Sequence, residues 1–285
     1  MIATKPSPSA APAPAGHSVL SGLLSRPYPA VMGVLNVTPD SFSDGGQFAA
    51  PERALAQAKR MIAEGADIID VGAESTRPYG SEPISAEEEL KRLQTVLPEV
   101  VALGIPVSID SMKPAVVAWA LDQGALIAND VWGLQRDPGM AGLVAARRVP
   151  VIVMHNRERA DPAIDIMQDI ADFFARSLEI AAGAGIAFDR IVLDPGIGFG
   201  KTPGQSMTAL ARLAEFETFG LPLLVGASRK RFISTVTPSE PHQRLGGSIA
   251  AHLLAAQRGA RIIRAHDVAE TVQALRVAAA IREQE

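Results

Sequence analysis

The chain contains no cysteine. Disulfides and thiolate metal sites are therefore excluded, and the composition suits a reducing compartment such as the cytoplasm. No block rich in lysine and arginine occurs, and the net charge is −4. Nucleic acid is not an expected partner for such a balance. No apolar run reaches the roughly 20 residues that span a bilayer, so no membrane segment is expected. The opening stretch, MIATKPSPSAAPAPAGHS, lacks the apolar core of a signal peptide. It is dominated by Ala, Pro and Ser, and residues 1–26 read as a disordered tail.

What remains is one large apolar chain. It has 285 residues, of which 47% are hydrophobic, ample for a single core. Short continuous apolar runs, each followed by a helical stretch, end in turn at Asn36, Glu74, Asp110, Asn129, His155, Asp194, Ser228 and Arg264. Continuous rather than alternating runs mark strands buried on both faces, as in a parallel sheet covered by helices. Eight such units predict a (β/α)8 TIM barrel over residues 27–285, in preference to an open doubly wound sheet. Its site is expected at the C-terminal rim, where eight strand ends converge.

The rim residues narrow the chemistry. Asn36 opens a Gly-rich loop running to Phe48, and its amide can ligate Mg2+ or hold a phosphate oxygen. A helix is expected from Pro51 to Glu64, and Ser85 with Glu88 fits a capping box. Thr76 and Arg77, just past the second strand, are suited to an anion. Asp110 and Asn129 end neighbouring strands and point into the rim. The sixth loop, DPGIGFGKT from Asp194 to Thr202, is the most informative string. A P-loop would need glycine where Pro195 stands, and a dinucleotide fingerprint counted from Gly198 would need it at Pro203. A Gly-rich turn remains, which lets backbone approach a flat ligand. Asp194 is then available to a planar guanidine-like edge such as that of a 2-amino-4-oxo-pterin. Ser228-Arg229-Lys230-Arg231 places a basic cluster on the rim, and Arg264 and His266 share one side of the last strand, suited to phosphate. His155 has no nucleophile paired with it by spacing and reads as structural.

The strings MGVLNVTPDSFSDGG (32–46), DVGAESTRP (70–78), DPGIGFGKT (194–202), GASRK (226–230), RLGGSIAA (244–251) and IRAHDV (263–268) resemble the dihydropteroate synthases of the folate pathway. The resemblance runs from about Val31 to the C-terminus. It implies a homodimeric transferase that joins 6-hydroxymethyl-7,8-dihydropterin diphosphate to p-aminobenzoate with Mg2+ assisting. By position it implies that Asp110, Asn129, Asp194 and Lys230 line the pterin pocket, with Gly198 in the substrate-binding turn. Asn36, Arg264 and His266 would hold the diphosphate, with Asn36 toward the metal. Thr76, Arg77, Pro78, Phe199 and Ser228 would face p-aminobenzoate and its sulfonamide mimics. Asp110, Lys230, Arg264 and His266 are the expected catalytic set. A pterin-dependent methyltransferase module and a non-catalytic pterin-binding paralogue are the competing readings.

Overall fold

A computed structural model describes residues 17–38, 46–74 and 83–284. Eight parallel strands close into a barrel in sequence order. They are β1 Ala30–Asn36, β2 Ile68–Gly72, β3 Val107–Asp110, β4 Ile127–Asp130, β5 Val151–Met154, β6 Ile191–Asp194, β7 Leu223–Val225 and β8 Ala260–Ala265. Expected strand bounds agree with these to within about two residues, with two exceptions at the rim. Glu74 lies two residues beyond β2 and Ser228 three beyond β7, both in loops.

The helices are α1 His17–Leu24, α2 Gly46–Ala63, α3 Ala86–Leu93, α4 Leu97–Val101, α5 Pro114–Asp122, α6 Pro138–Arg147, α7 Ile166–Ala184, α8 Pro203–Ala211, α9 Arg231–Val236, α10 Leu245–Gln257 and α11 Val268–Arg282. Their ends follow local chemistry. Ser85 caps α3 by accepting from the Glu88 amide. Asp165 caps α7, which stops at the left-handed Gly185. Thr202 and Gln205 form a reciprocal capping box on α8.

Two expectations are corrected. Helix α2 begins at Gly46 and carries Pro51 inside it. The missing proline N–H removes one bond of that helix. The tail expectation fails over residues 17–26, because α1 occupies 17–24. Its Leu20 and Leu23 are buried against the inward side chains Met32, Ile68, Ile127, Ile152, Val192, Leu224 and Ile262. Pro-rich composition hid two correctly spaced leucines that close the barrel floor. The rest of the tail, 1–16, lies outside the described residues, as do Thr76, Arg77 and Pro78 and most of the first loop.

Strand alternation explains where the site must lie. Ile68, Ile127, Ile152, Val192, Leu224 and Ile262 fill one layer of the barrel interior. Two residues further on, the same faces carry Asp70, Asn129, Met154, Asp194, Gly226 and Arg264, with Asp110 two after Ser108. The barrel interior therefore changes to charge at β2, β3, β6 and β8, through Asp70, Asp110, Asp194 and Arg264, and to an amide at β4, through Asn129. The outward residues Val31, Leu35, Ile69, Val71, Ile109 and Ile263 pack instead beneath the helices.

Candidate active site

Above that polar layer lies a pocket that opens to solvent. Asp110, Asn129, Asp194, Phe199, Lys230 and Arg264 line it, all expected from the sequence. The register sets Asp110 directly beside Asn129. Gly226 gives the wall space above the Arg264 side chain.

The charges form a defined network. Arg264 donates from Nε to Asp70 Oδ2 at 2.7 Å and from Nη2 to Asp110 Oδ2 at 2.8 Å. Asn129 Nδ2 donates to the same oxygen of Asp70 at 3.1 Å. Two carboxylates thus share one guanidinium, leaving one surplus negative charge in a buried place. Burial pushes the Asp110 carboxyl up to about 7, against the pull of Arg264 and with repulsion from Asp70. Among the described residues, Oδ1 of Asp110 and Oδ1 of Asp70 are buried with no hydrogen-bond partner. A buried acceptor left open beside a cavity is suited to a ligand donor.

Asp194 stands across the cavity. Its Oδ1 accepts the Gly196 amide at 2.7 Å. Burial raises its carboxyl to about 6, opposed by that bond and by Lys230 and Lys201. The Lys230 ammonium lies 4.0 Å from the centre of the Phe199 ring, a cation–π contact. The DPGIGFGKT turn can lie this close only because Gly196 and Gly200 take positive φ, 64° and 54°. A Cβ on Gly196 would strike the carbonyl oxygen of His155, and one on Gly200 that of Arg157.

The Ser228-Arg229-Lys230 turn is held just as firmly. Arg229 takes a left-handed φ of 57°, a costly conformation for a side-chain residue. Its N–H donates to Ser248 Oγ at 2.9 Å, and its carbonyl accepts Arg244 Nη1 at 3.0 Å. Its guanidinium engages both oxygens of Asp267. This turn presents Ser228, whose Oγ accepts the His266 amide at 3.2 Å and lies 3.0 Å from His266 Nδ1. Burial and the nearby cations Arg264, Arg229 and Lys230 push His266 down to about 3, so the ring is neutral. If Ser228 donates its proton to Nδ1, Nε2 keeps the ring proton as an outward donor.

The sequence had flagged Asp110, Asn129, Asp194, Gly198, Phe199, Ser228, Lys230, Arg264 and His266, and the rim brings them together. Asn36 ends β1 on the same rim, half-buried beside Gly72. His155, read as structural, faces away from the cavity and is fully buried. Sequence reasoning missed Asp70. Its signal was a lone carboxylate at an inward position within an apolar strand. It also missed Arg244 and Ser248, which brace Arg229, and Lys201, discounted with the P-loop pattern.

A family model described as pterin binding enzyme matches residues 32–266. The dihydropteroate synthase of Bacillus subtilis (strain 168) is 43% identical over 253 residues, 88% of this chain and 88% of that one. Among solved structures, Xanthomonas albilineans dihydropteroate synthase with 4-aminobenzoic acid matches with a TM-score of 0.87 and 46% identity. That match covers 91% of this chain and 94% of the other. The same enzyme in complex with 7,8-dihydropteroate gives 0.83 and 44%, over 91% and 95%.

Proposed function

The chain belongs to the pterin-binding enzyme family and, within it, to the dihydropteroate synthases, and from that premise we propose how its site performs the condensation. It is a transferase that joins 6-hydroxymethyl-7,8-dihydropterin diphosphate to p-aminobenzoate, giving 7,8-dihydropteroate and pyrophosphate. The observation that carries the assignment to this site is the polar cavity lined by Asp110, Asn129, Asp194 and Lys230.

The pterin fills that cavity, its guanidine-like edge donating to Asp194 while Asn129 and Lys230 meet its polar rim. The C–O bond to the diphosphate then breaks ahead of attack. The surplus negative charge of the Asp70–Asp110–Arg264 group stabilises the pterin-methyl cation as it forms. The neutral His266 donates a hydrogen bond to the departing diphosphate, and the aryl amine attacks the cation, its surplus proton passing to the departed pyrophosphate. Ser228 falls on the p-aminobenzoate side, with Thr76, Arg77 and Pro78 as partners in the same proposal, and Phe199, which lines the pterin cavity, stands where the two substrates meet.

Among the described residues, no group of three or more His, Asp and Glu converges to hold a metal ion. The donor set fits an Mg2+ that arrives on the diphosphate, since such ions use one or two protein oxygens plus phosphates and water. Asn36 would supply that oxygen. The ion would neutralise charge on the leaving group.

A homodimer belongs to the same proposal. Leu254 of α10 and Val277 and Ile281 of α11 are exposed on packed neighbouring helices, which supports it. So does a cytoplasmic setting, which the cysteine-free composition suits.

The test is product formation with Mg2+, with and without p-aminobenzoate, for wild type and Asp194→Ala. Dihydropteroate and pyrophosphate from the wild type, lost in the variant, are expected. Pterin binding without product would transfer the chain to the non-catalytic reading.

A further inference from the structure

Behind the pterin cavity lies a buried chain of polar groups that the condensation itself does not use. Lys201 is 5% exposed and does not line the cavity. Its ammonium donates to the Gly196 carbonyl at 2.9 Å and the Phe199 carbonyl at 3.2 Å, and lies 2.6 Å from His155 Nδ1. An ammonium has three N–H donors, and three acceptors surround it. His155 must then accept at Nδ1 and carry its proton on Nε2, which lies 2.9 Å from Asp169 Oδ2. The other Asp169 oxygen accepts Arg157 Nη1 at 2.6 Å.

The chain thus runs Lys⁺, neutral His, Asp⁻, Arg⁺, from the loop after β6 to the loop after β5 and on to α7. Protonation states keep the wiring in one direction. Burial pushes His155 down to about 4, so it stays neutral. The His155 and Arg157 bonds hold Asp169 near 2, so it stays ionised. Burial also pushes Lys201 down, to about 7, opposed by Asp194 and Asp169, so the cation that holds both carbonyls is fully formed below that pH. The Phe173 ring closes the box, edge-on to His155 at 4.9 Å.

The two carbonyls that Lys201 holds belong to the turn that forms the pterin wall. Gly196 supplies, from the peptide before it, the amide that orients Asp194, and Phe199 supplies the ring beneath Lys230. A buried ammonium is destabilising unless every donor is satisfied. Here the satisfied cation fixes the peptides that follow Gly196 and Phe199, and through them the two residues that set both cavity groups. A hydrophobic side chain of equal length would fill the same space without fixing either.

We propose that Lys201 is a positioning residue for the pterin half-site, acting through the Gly196 and Phe199 carbonyls on Asp194 and the Phe199 ring. His155 and Asp169 fix where its ammonium sits. This rests on the pterin reading of the cavity given above.

The experiment is calorimetric titration of 6-hydroxymethylpterin into wild type, Lys201→Met and Asp169→Asn. Steady-state kinetics and thermal midpoints accompany it. Lys201→Met is expected to weaken pterin binding at least about tenfold and raise the pterin-substrate KM alike, the size of a lost charged hydrogen bond. Asp169→Asn is expected to weaken it by about threefold, because its effect is relayed through a neutral ring. A folded Lys201→Met with wild-type pterin affinity and only a lowered midpoint would reduce Lys201 to a structural lysine. Should Lys201→Met not fold, Asp169→Asn decides, since that carboxylate sits at the surface end of the chain. Unchanged pterin affinity there overturns the proposal. Wild type that binds pterin but forms no dihydropteroate would sink the catalytic reading and leave this inference standing.

Discussion

Asp110→Asn keeps the shape of the side chain and removes one charge. In the wild type, Asp70 and Asp110 share Arg264, so with Asp110 ionised the buried group carries one net negative charge. In the variant it carries none. A unit charge about 5 Å from the developing pterin cation, at an effective dielectric of about 20, contributes about 3 kcal/mol. Loss of one pre-organised electrostatic group in an active site typically costs about 3–4 kcal/mol, or about 10²- to 10³-fold in kcat. The two routes agree, so kcat/KM for the dihydropterin diphosphate should fall by about two to three orders of magnitude.

The pH profile separates this from a packing defect. The working form of Asp110 is ionised, and its carboxyl titrates near 7. Wild-type kcat/KM should therefore fall below pH 7, and fall again as Asp194 protonates near 6. The variant should keep only the lower limb. Stability moves in a linked way. Asp110 has its folded pKa raised above the ordinary 3.8, so the stability it contributes is present below about pH 4. That contribution is lost as pH rises through 7. Between pH 4 and 7 the urea midpoint of the wild type should decline relative to that of Asp110→Asn. Rates within threefold of wild type, or a limb near pH 7 that survives the substitution, would refute the charge argument.

Three further outcomes are expected. Gly196→Ala places a Cβ against the His155 carbonyl at a φ of 64°, and should destabilise by at least about 3 kcal/mol in urea melts. Gly246→Ala in α10 meets nothing within 4 Å and should be neutral or stabilising by up to about 1 kcal/mol; equal effects at the two sites would contradict the packing of the sixth loop. Ser248→Ala removes the hydroxyl that accepts the Arg229 amide and donates to the Arg244 carbonyl, so about 1–3 kcal/mol of stability should go, with kcat reduced as the Ser228–Lys230 turn relaxes. An unchanged melt would remove the brace from the account. Leu20→Ala and Leu23→Ala, in the floor helix, should each cost about 2–5 kcal/mol, measured by thermal midpoint, whereas a truly disordered tail would show no change.

The sequence made the barrel legible because each strand is a short, doubly buried run followed by a helix. It also made the rim legible, because a polar or charged residue at the end of an apolar strand has few other places to be. Asp110, Asn129, Asp194 and Arg264 all follow from that rule, and the β3–β4 register confirms the first two as neighbours. The rule fails at Asp70, one layer-mate of the same residues. Asp70 stands inside β2, two residues before the strand's last residue, so it reads as a break in an apolar run. Only the closed barrel brings Arg264, from the other end of the chain, within 2.7 Å of it. The bracing groups were hidden for a related reason. Arg244 and Ser248 open a helix, where polar residues are ordinary, and nothing local says that they hold a strained Arg229 fifteen or more residues away. Lys201 was hidden by its setting, a glycine-rich string whose lysine suggests phosphate. In the fold that lysine faces backbone carbonyls, not the cavity. Residues that touch a ligand and residues that hold those residues have the same composition and the same place along the strand. What separates them is the direction of the side chain, and that is set by partners distant in sequence.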